Sequence, residues 1–95
     1  MLEKEIINKV VVETFNITYK PQEEYQLIKV VEFEKINHIG YALIHEKNGV
    51  ICEFYVSDTG VYEASSKGDL LHSNYEIKYW LEFITLIKEE LRELE

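Results

Sequence analysis

Ninety-five residues make one domain with a core that needs neither disulfide nor structural metal, and a single cysteine excludes an internal disulfide or a zinc site of several thiolates. Eighteen acidic residues against ten basic ones, a net charge of −8, argue against direct nucleic-acid binding, which rests on neutralising phosphates. The same balance disfavours an anionic membrane surface and suits either a basic protein partner or plain solubility.

Residues 1–9 predict a short helical turn, because Leu2, Ile6 and Val10 keep helical spacing. They lack the basic-then-apolar form of a secretory leader, and no apolar run reaches the ~20 residues of a membrane span. The expected compartment is therefore the cytoplasm. Nine lysines against one arginine, with many Ile, Asn and Tyr, point to an AT-rich coding source such as a low-GC bacterium or its phage. Residues 10–19 are rich in β-branched and aromatic side chains and predict a strand. Pro21 ends it. From Tyr25 to Ile36 the apolar residues scatter around a helical wheel, so a second strand is expected there.

The middle of the chain carries the clearest hairpin signal. Residues 39–46 and 50–56 flank Lys47-Asn48-Gly49, and Asn-Gly favours a two-residue type I′ turn. That turn sets His45 opposite Cys52, Leu43 opposite Phe54 and Tyr41 opposite Val56, an apolar face. The alternate face pairs Glu46 with Ile51, Ile44 with Glu53 and Ala42 with Tyr55. Next, Ser57-Asp58-Thr59-Gly60-Val61 predicts a three-residue loop with Gly60 in the left-handed region. This places Tyr62 opposite Val56 and Ala64 opposite Phe54. On the other flank Val31 and Phe33 join the apolar face, since the alternative register would bury Glu32 and Glu34 at a cost of several kcal/mol.

Ser73 and Glu76 form a capping box, and a helix runs from there to the C-terminus, with Leu70-Leu71 tucked under its start. Ile77, Trp80, Ile84, Ile87, Leu91 and Leu94 make its seam. Leu81 widens it on one side, Tyr79, Phe83 and Leu86 on the other. The apolar arc in its first half covers roughly 220°, against the ~100° that one sheet face requires. Either the helix lies in a groove between the sheet and the N-terminal segment, or Tyr79, Phe83 and Leu86 form the contact with a second copy. Glu89, Glu90, Glu93 and Glu95 crowd an end where the helix dipole prefers cations.

The expected fold class is α+β: a single domain, residues 1–95, with an antiparallel meander of four to five strands packed on one long C-terminal helix. These registers gather Glu32, Glu34, Glu46, Glu53 and Glu63 with Tyr55 on the sheet face away from the helix. Carboxylates at a strand's pitch, with aromatic contacts between them, fit a basic protein surface. A solvated polar face is the ordinary alternative. His45 beside Cys52 has the composition of an activated thiol, but no orienting acid or oxyanion donor accompanies it. His38, His45 and His72 lack metal-ligand spacing, and no cofactor motif is present. The expectation is a small acidic, non-catalytic protein-binding module, an inhibitor of the immunity, antitoxin or phage anti-defence type that occludes a basic cleft. The alternatives are a homo-oligomer joined through Tyr79, Phe83 and Leu86, or a binder of a small nucleotide signal.

Overall fold

In the computed structural model of the chain the described residues are 2–66 and 74–95, without the side chains of 63–66 and 74–77. Helix α1 (Lys4–Thr18) leads through a 3-10 turn (Lys20–Gln22) into strands β1 (Tyr25–Glu32), β2 (Ile39–His45), β3 (Gly49–Ser57) and β4 (Gly60–Ser66), and helix α2 (Asn74–Leu94) ends the chain. The strands form one antiparallel meander in the order β1-β2-β3-β4. The expected α+β class stands, with four strands.

The N-terminal expectation needs correction, because the strand read over residues 10–19 is helix. Ile7, Val10, Val11, Thr14, Phe15 and Thr18 are buried, a spacing of three and four that places them on one helical face. Local β-branched composition disfavours this helix only weakly, and burial of that face outweighs it. Asn37 Nδ2 donates to the Leu2 carbonyl at 2.7 Å, and the Lys4 ammonium donates to the Phe33 carbonyl, so the loop after β1 anchors the start of α1. At the other end, Glu23 takes up φ 57° as the chain reverses into β1.

The wide arc of α2 is explained by α1. Phe83 is fully buried, with ring centroids 5.6 Å from both Tyr19 and Phe54 and 5.7 Å from Trp80. Tyr79 lies 6.0 Å from Tyr19, and Leu86 borders a groove with Val10, Thr14 and Ile17 of α1. The helix lies between sheet and N-terminal segment. Of the expected dimer contact, Phe83 is internal and has no surface left for a second copy, while Tyr79 and Leu86 are half-buried. The Ser73–Glu76 cap and the Leu70-Leu71 contact lie outside the described residues and side chains.

Registers differ from expectation in three places, in the two hairpin loops and at a bulge in β1. The β2–β3 loop has three residues, 46–48, with His45 opposite Gly49 and Gly49 at φ 73°. A loop of that length would by itself turn Glu53 inward. A bulge after Leu43, which pairs with Cys52 while Ile44 pairs with Val50, makes Ile51 the extra residue. Ile51 and Cys52 are then both buried, and Phe54 and Val56 return to the core. So Ile51 leaves the face on which it was expected, and His45 does not oppose Cys52. The β3–β4 loop has two residues, Asp58 and Thr59, with Ser57 opposite Gly60, Val61 opposite Val56 and Tyr62 opposite Tyr55. Val61, rather than Tyr62, packs against the core. In β1 the register shifts between Lys29 and Val31, inverting the faces beyond it.

Candidate docking surface

The expected row of carboxylates is not formed. Beyond the β1 bulge Glu32 pairs with Ile39 and Val31 with Gly40, so Glu32 turns to the helix side. There the Lys29 ammonium donates to Glu32 Oε1 at 2.9 Å, and that bond, together with the lysine's charge, holds the carboxyl below its ordinary range. Glu34 sits in the loop after β1 and Glu46 in the β2–β3 loop, both exposed. Glu63 pairs through its backbone with Phe54, and its side chain lies outside the described set. Of the described side chains in this set, only Glu53 and Tyr55 occupy the outer face as expected. Like charges on neighbouring strands repel, and the bulges distribute these.

What the outer face carries instead is apolar. Ile28, Val30 and Val31 of β1 are 46%, 60% and 38% exposed, Val50 of β3 37% and Tyr62 of β4 50%. Ile44 and Tyr55 between them are half-buried. At one end Tyr55 lies over Gly40: a Cβ there would stand 2.8 Å from Val31 Cγ1 and 3.0 Å from the Tyr55 ring. Phe33 extends this layer, its centroid 5.7 Å from that of Tyr55. Beside them Val30, Val31, Gly40, Glu53 and Tyr55 line a small recess of about 30 Å³. Glycine at position 40 is what lets the aromatic ring lie down on the sheet.

The β1 edge of the sheet is built differently. It carries a bulge, and Lys29, opposite Tyr41, points to the helix side at the strand's centre. Bulges and inward-facing lysines are two devices by which edges resist addition of another strand. The flat face has neither device.

His45 closes the β2–β3 turn. Its Nδ1 accepts from the Lys47 N–H and from Asn48 Nδ2, each at 3.2 Å, and Nε2 lies 3.1 Å from Glu24 Oε2. With Nδ1 an acceptor, Nε2 carries the proton and donates to the carboxylate. Both ring nitrogens are thus engaged in fixing a turn. Cys52 is buried opposite Leu43, so the expected thiol–imidazole pair is not assembled. Among the described residues no group of three His, Cys, Asp or Glu is placed to hold a metal ion, and no helix is long and apolar enough to cross a membrane.

The outer face was hidden from sequence reasoning by the bulge at Val30, which turned Val31 outward. One signal was available: β2 reads Ile39-Gly40-Tyr41-Ala42-Leu43-Ile44, apolar on both faces, as strands do when both faces are covered. Comparison of the chain with protein-family models, with curated proteins and with solved structures finds no match.

Proposed function

We propose that this chain is a non-catalytic protein-binding module that docks through the outer face of its sheet. One observation supports this most strongly. An antiparallel sheet packed on one face ordinarily keeps the other polar, whereas here the described outer positions are apolar apart from Gln26 and Glu53. Each Å² of such surface left in water forgoes about 25 cal/mol, and contiguous patches of this kind on small domains mark interaction sites. A net charge of −8 steers the domain toward basic surfaces, and apolar contact then holds it there. An inhibitor of the immunity, antitoxin or phage anti-defence type, covering a functional cleft of a basic protein, fits that combination.

A second copy is the competing occupant of this face, because a two-fold interface needs only one self-complementary patch. Both readings depend on the outer face, and one set of proteins tests it. The wild-type chain, an Ile28→Asp/Val30→Asp variant and an Ile17→Asp variant serve as baits in lysate of a low-GC bacterium. Ile17 is 67% exposed on α1 and controls for a charge placed elsewhere. All three should share one circular-dichroism spectrum and one elution volume if the chain is a monomer. A protein retained by wild type and Ile17→Asp but lost from the double variant is the expected result. Identical captures from all three baits would remove the outer face from consideration. Light scattering on the wild type alone reads the dimer directly.

A further inference from the structure

We infer that Glu53 selects the occupant of the outer face: a protein surface that presents an apolar ridge with a lysine or arginine placed to reach its carboxylate. This deepens, and rests on, the docking surface proposed above. Glu53 is the one charged side chain that the registers leave among the described outer-face strand positions. Gln26, Ile28, Val30 and Val31 of β1, Gly40, Ala42 and Ile44 of β2, and Val50 and Tyr55 of β3 share that face with it. It is exposed, opposite the methyl of Ala42, and lines the small recess beside Val31 and Tyr55. Among the described residues its carboxylate makes no ion pair.

Whatever covers the apolar part of this face also takes water from Glu53, and a carboxylate desolvated without a partner charge opposes docking. The requirement for a cation decides between occupants. A second copy presents the same face, which offers no lysine or arginine at any described strand position, and it brings a second chain of charge −8. Self-docking therefore buries Glu53 against alanine, valine or another carboxylate. Strand addition at β1 is opposed by its bulge and by Lys29. A basic partner meets both demands, since its aliphatic side chains cover Ile28, Val30 and Val31 while its cation pairs with Glu53. The ring of Tyr55, lying over Gly40 beside Val31, forms the wall along which that cation approaches.

The test begins with the full chain carrying a photo-reactive benzophenone amino acid in place of Tyr62, irradiated in host lysate. The cross-linked protein is identified by mass spectrometry, purified, and titrated with wild type, Glu53→Gln, Glu53→Lys and Val30→Asp at several salt concentrations. Glu53→Gln is nearly isosteric and exposed, so its fold is retained, and thermal melts verify this for each variant. The expected result is a loss of about 30-fold or more for Glu53→Lys, a smaller loss for Glu53→Gln, and a shallower salt dependence for both. Reversing the partner's cross-linked-site lysine or arginine to glutamate should restore binding to Glu53→Lys. Unchanged affinity of Glu53→Lys beside a large loss in Val30→Asp overturns the selecting role of Glu53 and leaves the docking face standing. Unchanged affinity of Val30→Asp overturns both. A self-cross-link with doubled mass in light scattering, or no adduct at all, also overturns the inference.

Discussion

The two faces of this sheet are made by the same strands and by similar side chains, and they have opposite fates. On the inner face Ile39, Tyr41, Leu43, Phe54 and Val56 are at most 1% exposed, sealed by two helices. On the outer face Ile28, Val30 and Val31 are open. Hydrophobicity therefore did not assign burial here; the placement of α1 and α2 did. Both helices lie over one side, and α1 packs on α2 as well as on the sheet. Central strand β2 is apolar on both sides; its outer positions Gly40 and Ala42 are buried only under neighbouring side chains of the sheet, and among the described residues no helix lies over them. The missing layer is the physical content of the docking proposal.

Removing Phe83, a fully buried ring that joins both covering helices to the sheet, should break the inner face most severely. Phe83→Ala empties the site between Tyr19, Phe54 and Trp80 and should cost about 3–5 kcal/mol, a large part of the ~5–15 kcal/mol available to a small domain. Val30→Asp on the outer face should stay within about 0.5 kcal/mol. Urea unfolding of both variants checks the contrast. Equal losses would mean that the outer face is as covered as the inner one.

Much of this contrast was legible in the sequence, and the missing part has a definite cause. The meander, the long C-terminal helix and the inward positions Ile39, Tyr41, Leu43, Phe54 and Val56 follow from alternation and turn residues. Those faces survived on β3 although the individual pairings did not, because the extra residue Ile51 offsets the odd loop before it. Hydrophobic pattern fixes parity more firmly than partner. Bulges carry no residue-type signature in a single sequence, and each reverses parity beyond it. At Val30 nothing restored the expected faces, and the site was misread there: Glu32 went inward and Val31 outward. Helix α1 was missed because Val10-Val11-Val12 has strand composition. Ile6, Val12 and Ile17, all exposed, also blur its helical period.

A smaller effect sharpens what the outer face is made of. Gly40→Ala sets a methyl 2.8 Å from Val31 Cγ1, closer than packed carbons allow. Valine is stiff about χ1, so the strand or the Tyr55 ring must move, at a cost of about 1–3 kcal/mol. Adding Val31→Ala should return part of that stability, measured by thermal melts of the single and double variants. Such a recovery distinguishes a packed aromatic platform from a loose surface residue. Full stability in Gly40→Ala alone would show that Tyr55 does not lie on the sheet in solution.

The smallest expected effect concerns how tightly α1 seals the inner face. Tyr41 of β2 donates its hydroxyl to Asn8 Oδ1 of α1 at 2.8 Å, so Tyr41→Phe should cost about 1 kcal/mol at neutral pH. Burial pushes the phenol above its ordinary range, and the charge of Glu32 adds to the rise. The folded state therefore keeps this proton after the unfolded chain has begun to release it, near pH 10. Where the unfolded state binds fewer protons, stability falls as pH rises. Wild-type stability should thus decline above about pH 10 more steeply than that of Tyr41→Phe, so the gap between the two narrows. Below that range the difference should be constant, because both states carry the proton. Urea titrations from neutral to alkaline pH provide the measurement, and the difference between the two proteins cancels the other six tyrosines. Parallel curves throughout would mean that water reaches the phenol between α1 and β2. The inner face would then be sealed by α2 alone, and the contrast between the faces would be one of degree.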